Sequence, residues 1–351
     1  MGEIAVGKGN WANASARSKA RKAKLIDATR MRQLMQQGPD TIAASIGEAG
    51  YRKELDLYSS RLSGADLIEA ALSHNLDRDL KEVIGFCQGR LRRIVSVFAT
   101  RFSYANAKTV LRAVNSGVSV DDLANMVMPE ENDLNTNWLE IARQSETLAD
   151  AAHAMRGTPW GASMAKVDAD ASLQEYEDAL DRHYYNDAIS ALKSSGQKHR
   201  LLLTLLRTEI DHRNIVNLLR ALRQDISAEQ RSELMLEGGQ MLKGNLLRSA
   251  ATAETQEALT EALRRSNMDT AGLEEAMAAA SESGGLDPVV TYLDNQRRDT
   301  LRRMSHLNPL SAFPIIHYLE SKVLEVRNIR LLVRGKAAGL SDEVIEAHMH
   351  I

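Results

Sequence analysis

The sequence predicts an all-α protein, and three observations support that fold class. Alanine, leucine, glutamate, arginine and methionine are abundant, and all five residue types favour helices. Aromatic residues make up only 4% of the chain, and the residue types that favour strands are sparse. Only six prolines interrupt the 351 residues, so long helices can form.

Composition also limits the number of domains and the classes of partner. The chain is long enough for two or three domains, and an apolar fraction of 44% supports packed cores. A net charge of −3, from 44 basic and 47 acidic residues, gives no indication of nucleic-acid binding.

The single cysteine, Cys87, excludes an internal disulfide and agrees with a reducing compartment. No apolar run approaches the roughly 18–20 residues of a membrane span, and the start lacks a signal-peptide stretch. We therefore expect a soluble protein, or one held at a membrane through a partner.

One short pattern occurs three times along the chain. The segments "RFSYANAKTVLRAV", "EIDHRNIVNLLRAL" and "EVRNIRLLVRGKAAGL" each contain an asparagine followed six residues later by an arginine. The pairs lie 108 and 114 residues apart and are Asn106 with Arg112, Asn214 with Arg220, and Asn328 with Arg334. A glycine and another apolar helix follow each segment: Gly117 with Leu123, Gly239 with Leu246, and Gly339 with Ile345.

A second pattern recurs in the same order and at similar spacing. Short helical phrases begin at Thr41, Thr147 and Thr255, which lie 106 and 108 residues apart. Two patterns in one order predict a triplicated chain. The predicted domains are residues 1–118, 119–239 and 240–351, with no proline-rich or glycine-rich linker between them.

The repeated segments carry an apolar stripe at helical spacing. It comprises Ala107, Val110, Leu111, Ile215, Leu218, Leu219, Ile329, Leu332 and Val333. Such a stripe is typical of a helix face that packs against a core. Each asparagine lies at the flank of the stripe, where it either forms a hydrogen bond between helices or contacts a partner. Each arginine lies opposite the stripe, where it is either a solvated charge or an interface residue.

The sequence contains no motif that indicates catalysis. It has no GxxxxGK[ST] phosphate loop, no GxGxxG after a strand and no GxSxG. Cys87 is interpreted as a packed small residue rather than a nucleophile. We therefore predict no catalytic residue, no cofactor and no metal site.

The segment from Arg17 to Arg32 differs from the rest in charge. It holds seven basic residues and one acidic residue, Asp27. A basic amphipathic helix can bind anionic lipid, a calmodulin-type partner or an acidic protein face. It can equally be a solvated helix face.

These residues resemble the C subunit of archaeal and bacterial A/V-type ATP synthases, whose eukaryotic relative is the d subunit of vacuolar proton pumps. The resemblance covers nearly the whole chain. Its most specific part is "YLESKVLEVRNIRLLVRGKAAGLSDEVI", and "EIDHRNIVNLLRAL" and "NWANASARSKARKAKLI" are similar to other parts of the family pattern. The chain departs from that pattern at Ser103, where the other copies have an acid, and at Val323.

The resemblance implies an architecture and a role. It implies three similar helical domains around a pseudo-threefold axis, shaped like a funnel. It implies a non-catalytic rotor subunit, one copy per complex, that transmits torque and couples ion transport, such as hydrogen-ion transport, to ATP synthesis or hydrolysis. The implied partners are central-stalk subunits of the D and F type and the membrane proteolipid ring. The implied place is peripheral, at the cytoplasmic face of the cell membrane.

Two other classes of protein are alternatives. A helical scaffold of the tetratricopeptide kind would bind partner proteins, but its repeats recur near 34 residues, whereas the spacings here are 106 to 114. A helical enzyme is disfavoured because the sequence has no catalytic motif. Co-purification with ATPase and proteolipid subunits would separate the rotor subunit from the scaffold.

Overall fold

The computed structural model describes residues 9–194, 199–266 and 268–350, and helices dominate this part of the chain. No strand occurs among these residues, and the all-α prediction is confirmed. The first eight residues, which were expected to carry no signal peptide, lie outside the described part. The funnel of three pseudo-threefold domains stays a prediction.

The first half of the chain contains eleven α-helices among its described residues. They are α1 (Trp11–Lys22), α2 (Ala28–Met35), α3 (Pro39–Ile46), α4 (Arg52–Tyr58), α5 (Gly64–Phe86), α6 (Gly89–Asn115), α7 (Val120–Met126), α8 (Thr136–Arg143), α9 (Leu148–Ala154), α10 (Gly161–Met164) and α11 (Leu173–Ser194). A wide turn at Gly47–Tyr51 joins α3 to α4, and Gly50 adopts a φ of 110° there.

The second half continues the series. Its α-helices are α12 (Arg200–Arg223), α13 (Ala228–Leu234), α14 (Asn245–Ala251), α15 (Gln256–Arg264), α16 (Ala271–Ser283), α17 (Asp287–Leu307), α18 (Phe313–Ala337) and α19 (Asp342–His348). The helices α12 and α18 carry the second and third repeated segments, as α6 carries the first.

Threonine caps account for two of the three helical phrases noted in the sequence. The hydroxyl of Thr147 accepts the N–H of Asp150, whose carboxylate accepts the N–H of Thr147, so a capping box begins α9. Thr255 accepts the N–H of Ala258 at the start of α15. Thr41, by contrast, lies inside α3. The threonines therefore do not all occupy the same place in their helices.

The chain divides into two compact units. The first comprises residues 1–180 and 308–351, and the second comprises residues 181–307. These boundaries differ from the predicted ones near residues 118 and 239. The threefold division of the sequence stays a prediction.

In the first unit, the two ends of the chain share one core. Apolar residues between Ile26 and Leu72 pack in one cluster with apolar residues between Val326 and Met349. Helix α18 packs against both α1 and α5. Elsewhere in this unit Trp138 stacks on Trp160 with ring centroids 6.0 Å apart. The C-terminal helices thus depend on the N-terminal ones for their buried surface.

The second unit has a core of its own. It is formed by apolar residues between Ile215 and Leu293, which lie on α12 to α17 and the segments between them. Helix α16 packs against α17, and α14 packs against α15. The core is therefore built from neighbouring parts of the sequence.

Candidate functional site: the repeated helix ends

The repeated segments lie on helices that end in the same way. In each, the residue eleven positions after the asparagine has a positive φ: 65° at Gly117, 52° at Asp225 and 73° at Gly339. The N–H of the next residue then donates to a carbonyl five residues back, from Val118 to Ala113, from Ile226 to Ala221 and from Leu340 to Gly335. This is the Schellman type of helix end. Asp225 therefore takes the place that the sequence interpretation gave to Gly239, and that assignment was wrong.

Gly239 has a different reason to be glycine. A Cβ atom there would lie 2.1 Å from Oδ1 of Asp211, a distance that no side chain can tolerate. The main chain passes close to the carboxylate because the N–H groups of Gln240, Met241 and Leu242 donate to it.

A serine begins the short helix after each of these turns. Ser119, Ser227 and Ser341 each lie thirteen residues after the asparagine and accept an N–H from the third residue beyond. A serine at this position satisfies an N–H at the helix start that otherwise has no partner. The helices that follow, α7, α13 and α19, are each seven residues long. The sequence analysis missed these serines, although their constant spacing from the asparagines was visible in the sequence.

Two of the asparagines hold the main chain after the short helix. Asn214 Nδ2 donates to the carbonyl of Leu236 at 2.8 Å, and its Oδ1 accepts the N–H of the same residue at 2.8 Å. Asn328 does the same with His350, at 2.9 and 3.2 Å. Each asparagine therefore pairs with both main-chain groups of the residue 22 positions later. Both asparagines are buried, which agrees with the interpretation as hydrogen-bonding residues.

The first asparagine is placed differently. The side chain of Asn106 is partly exposed and forms no hydrogen bond with any described residue. The N–H of Met128, which lies 22 residues later, donates instead to the carbonyl of Leu123. The three segments thus share their helix ends, but only two of the three asparagines hold a main-chain segment.

The apolar stripe lies in the core as predicted. Its nine residues are at most 2% exposed: Ala107, Val110, Leu111, Ile215, Leu218, Leu219, Ile329, Leu332 and Val333. The repeated helices are therefore oriented by burial of this face.

The position three residues before each asparagine is polar in all three segments. Asp211 and Glu325 are buried and accept hydrogen bonds from the main chain, whereas Ser103 takes this place in the first segment. Burial raises the pKa of Asp211 to about 6, although the N–H groups of Met241, Leu242 and Gln240 oppose that shift. The two acids act as acceptors for main-chain groups of other segments.

The three arginines have three different environments. Arg112 is exposed but forms two hydrogen bonds with Glu177, at 2.6 and 2.9 Å. Arg334 pairs with Asp66 at 2.9 Å and with Glu69. The side chain of Arg220 is exposed and forms no hydrogen bond or ion pair with another described residue. Arg112 and Arg334 therefore join segments distant in sequence, whereas Arg220 is a solvated charge in the isolated chain.

A buried polar cluster joins the two ends of the chain in the first unit. Glu325 accepts hydrogen bonds from the N–H of Ile26, from the hydroxyl of Tyr51 and from Lys322 Nζ, at 2.5, 2.5 and 2.9 Å. The ammonium of Lys322 lies 4.0 Å from the centroid of the Tyr51 ring. Burial and the nearby Glu325 raise the pKa of Tyr51, so its hydroxyl stays protonated and donates.

A second polar cluster joins α18 to α1 and α5. Asp79 accepts hydrogen bonds from Tyr318 and Arg21, and Arg21 also pairs with Glu82. The guanidinium of Arg21 lies over the Phe86 ring. The guanidinium of Arg17 lies over the same ring, 4.2 Å from its centroid. Part of the basic N-terminal segment is thereby bound within the chain, although Lys19 and Lys24 remain exposed.

Within the described residues, no group of three or more histidine, cysteine, aspartate and glutamate side chains could hold a metal ion. In the same part of the chain, no helix combines the length and the apolar character that a membrane span requires. Cys87 is buried, and burial raises the pKa of its thiol to about 11. A thiol of this kind is a poor nucleophile.

Comparison with known proteins gives the family. A family model described as ATP synthase (C/AC39) subunit matches residues 14–348. The chain belongs to this family. Relatives named as the C subunit of the A-type ATP synthase are 29% identical in Haloferax volcanii, over 96% of each chain, and 30% identical in Haloquadratum walsbyi, over 95% of this chain and 96% of the relative. A third, from Methanococcoides burtonii, is 27% identical over 97% of this chain and 94% of the relative.

Membership in the ATP synthase (C/AC39) subunit family explains why the repeated residues form no catalytic group. The chain is a non-catalytic subunit of a rotary ATP synthase complex. Among the repeated polar residues, Asn214, Asn328, Arg112 and Arg334 pair with main-chain groups or carboxylates of this chain and so fix the positions of helices. The family resemblance noted from the sequence is confirmed.

Proposed function

We propose that this chain works in the rotor of an A-type ATP synthase. It joins central-stalk subunits of the D and F type to the proteolipid ring and transmits torque between them. One copy serves each complex, at the cytoplasmic face of the cell membrane, where the ring and not the chain itself spans the bilayer. Family membership supports the assignment to the complex, and the resemblance to rotor subunits supports this place within it.

The packing of the two chain ends is the observation that carries the proposal. A part that transmits torque must resist twisting, and separate helices on loose linkers would not. In the first unit, residues 26–72 and 326–349 share one apolar core, and the buried Lys322–Glu325 pair lies between these segments. Glu325 of that pair also accepts hydrogen bonds from the N–H of Ile26 and the hydroxyl of Tyr51. Separating the ends would leave this buried carboxylate short of donors, so the ends are held in one arrangement.

The exposed arginine of the second segment is the repeated residue best placed to contact a partner. Arg112 and Arg334 are already paired with carboxylates of this chain, whereas Arg220 presents to solvent a guanidinium that pairs with no described residue. Arginine is frequent in protein interfaces because its guanidinium can bind a carboxylate through two parallel hydrogen bonds. We assign Arg220 to the contact with a neighbouring subunit.

Reconstitution of the complex tests the rotor role. Complexes assembled without this chain should lose ATP-driven ion transport while the catalytic part still hydrolyses ATP. The purified chain alone should hydrolyse no ATP above background. Normal coupling of hydrolysis to transport in complexes that lack the chain would refute the proposal.

The contact at Arg220 is tested separately. Arg220→Ala should weaken co-extraction of the chain with stalk and ring subunits in mild detergent and leave its thermal stability unchanged. Arg302→Ala, at an exposed arginine whose ion pair with Asp299 lies within its own helix, is the matched control. Equal co-extraction by the parent chain and the Arg220 variant would remove this assignment and leave the rotor role standing.

A further inference from the structure

The first repeated segment contains an open groove where the other two are filled. The groove lies between α5 and α6, and its polar and aromatic lining includes Asp77, Lys81, Arg92, Ser103, Asn106 and Trp138. In the second and third segments, the equivalent asparagines are covered by the main chain at Leu236 and His350. In the other two segments the equivalent position is therefore occupied by main-chain peptide groups.

The covering segments are extended peptide. The residue after the short helix has φ and ψ of −72° and 141° at Met235 and of −79° and 148° at Met349. At the same place in the first segment, Val127 has φ and ψ of −118° and −41°. Val127 thus keeps helical geometry, and the N–H of Met128 bonds to the carbonyl of Leu123 and not to the Asn106 side chain.

The chemistry of Asn106 suits a main-chain partner. A primary amide offers one N–H donor and one acceptor to the C=O and N–H of a single residue, as Asn214 and Asn328 do. Main-chain hydrogen bonding is one of the ways in which proteins bind extended peptides. Ser103, which replaces the buried acids Asp211 and Glu325, leaves the groove without their negative charge.

The charge and the length of the groove indicate the charge and the length of the peptide that fits it. Lys81 and Arg92 are exposed and have no ion-pair partner among the described residues. Asp77 is the acidic residue of the lining, and it accepts a hydrogen bond from Asn132 at 2.7 Å. From Arg92 to Asn106 the groove follows α6 for about 21 Å, at roughly 1.5 Å per residue. About six residues of extended peptide span that length.

We propose that this groove binds an extended acidic peptide segment of a partner protein. One residue of the segment pairs its N–H and C=O with the Asn106 amide, and its carboxylates face Lys81 and Arg92. The site is a property of the first segment alone, because the chain itself occupies the equivalent places in the other two. It does not depend on the rotor role.

A binding experiment with a defined probe tests the groove. The probe is a fluorescent decapeptide of alternating glutamate and valine with blocked ends, titrated into the full chain and followed by anisotropy. Asn106→Leu should weaken binding at least tenfold, and the probe with N-methylated main-chain nitrogens or with lysine in place of glutamate should bind as weakly. Asn115→Leu, an exposed asparagine on the same helix, should bind like the parent chain. Thermal unfolding checks that both variants are folded.

Crosslinking in the assembled complex tests the source of the segment. A photoreactive residue in place of Thr100, which lines the groove, should crosslink to an acidic stretch of another subunit. Failure of the probe to bind at millimolar concentration, equal binding by Asn106→Leu, or a crosslink only within this chain would each overturn the proposal. Normal ion transport alongside any of these results would leave the rotor role intact.

Discussion

Glu325 accepts a hydrogen bond of 2.5 Å from the main-chain N–H of Ile26, which lies 299 residues earlier in the chain. The contact ties the third repeated helix to the segment that leads into α2. Tyr51 and Lys322 complete the set of donors around this carboxylate. A single buried acid therefore fixes two ends of the sequence to each other.

Loss of that acid should weaken the fold. Glu325→Gln removes the partner of the buried Lys322 and should lower the free energy of unfolding by about 3–5 kcal/mol. Chemical denaturation of the full chain measures this. The control is Glu48→Gln, at an exposed glutamate that lies 3.9 Å from Arg30 and should contribute about 0–1 kcal/mol. A loss below about 1 kcal/mol for Glu325→Gln would show that the cluster does not hold the ends together.

The three asparagines should differ in their effect on stability. Asn214→Ala leaves both main-chain groups of buried Leu236 without partners and should cost about 2–4 kcal/mol. Asn328→Ala should have a similar effect at His350. Asn106→Ala should change stability by less than about 0.5 kcal/mol, because Asn106 forms no such pair with a described residue. Equal losses for all three, measured by urea unfolding, would contradict the assigned contacts.

Replacing glycine by alanine at two positions should change the stability of the fold in opposite directions. Gly117→Ala places a side chain at a φ of 65° and should lower stability by about 1 kcal/mol, although no atom would clash with the new Cβ. Gly85→Ala lies in helix α5, also with open space around the Cβ, and should raise stability by about 0.5–1 kcal/mol. Thermal unfolding of both variants checks the signs. If both substitutions changed stability in the same direction, the positive φ at Gly117 would not be what makes alanine unfavourable there.

Asp77 should make stability depend on pH. Burial raises the pKa of this carboxyl from 3.8 to about 6, against the hydrogen bond from Asn132. The folded state thus binds the proton more tightly than the unfolded state, so this contribution is present below about pH 4 and is lost as pH rises through 6. Asp77→Asn should remove this dependence, gaining up to about 3 kcal/mol relative to the parent between pH 4 and pH 7. Parallel stability curves for the two chains across this range would rule the effect out.

The sequence by itself determined the helical class, the apolar stripes and the three repeated segments. These are local properties, since helix propensity and residue spacing act within a few turns of chain. The constant spacing of the capping serines, Ser119, Ser227 and Ser341, was equally local and could have been found. The family resemblance rested on the same local phrases.

Only the tertiary structure decided which repeated side chains have partners. Nothing in the sequence around Asn106, Asn214 and Asn328 states that two hold main chain and one lines a groove, because the difference arises where the chain goes after the next helix. Asp225 could replace glycine at a helix end because aspartate tolerates a positive φ. The meeting of Ile26 with Glu325 depends on burial of a shared core, and that core joins residues too distant in sequence for any local pattern to pair.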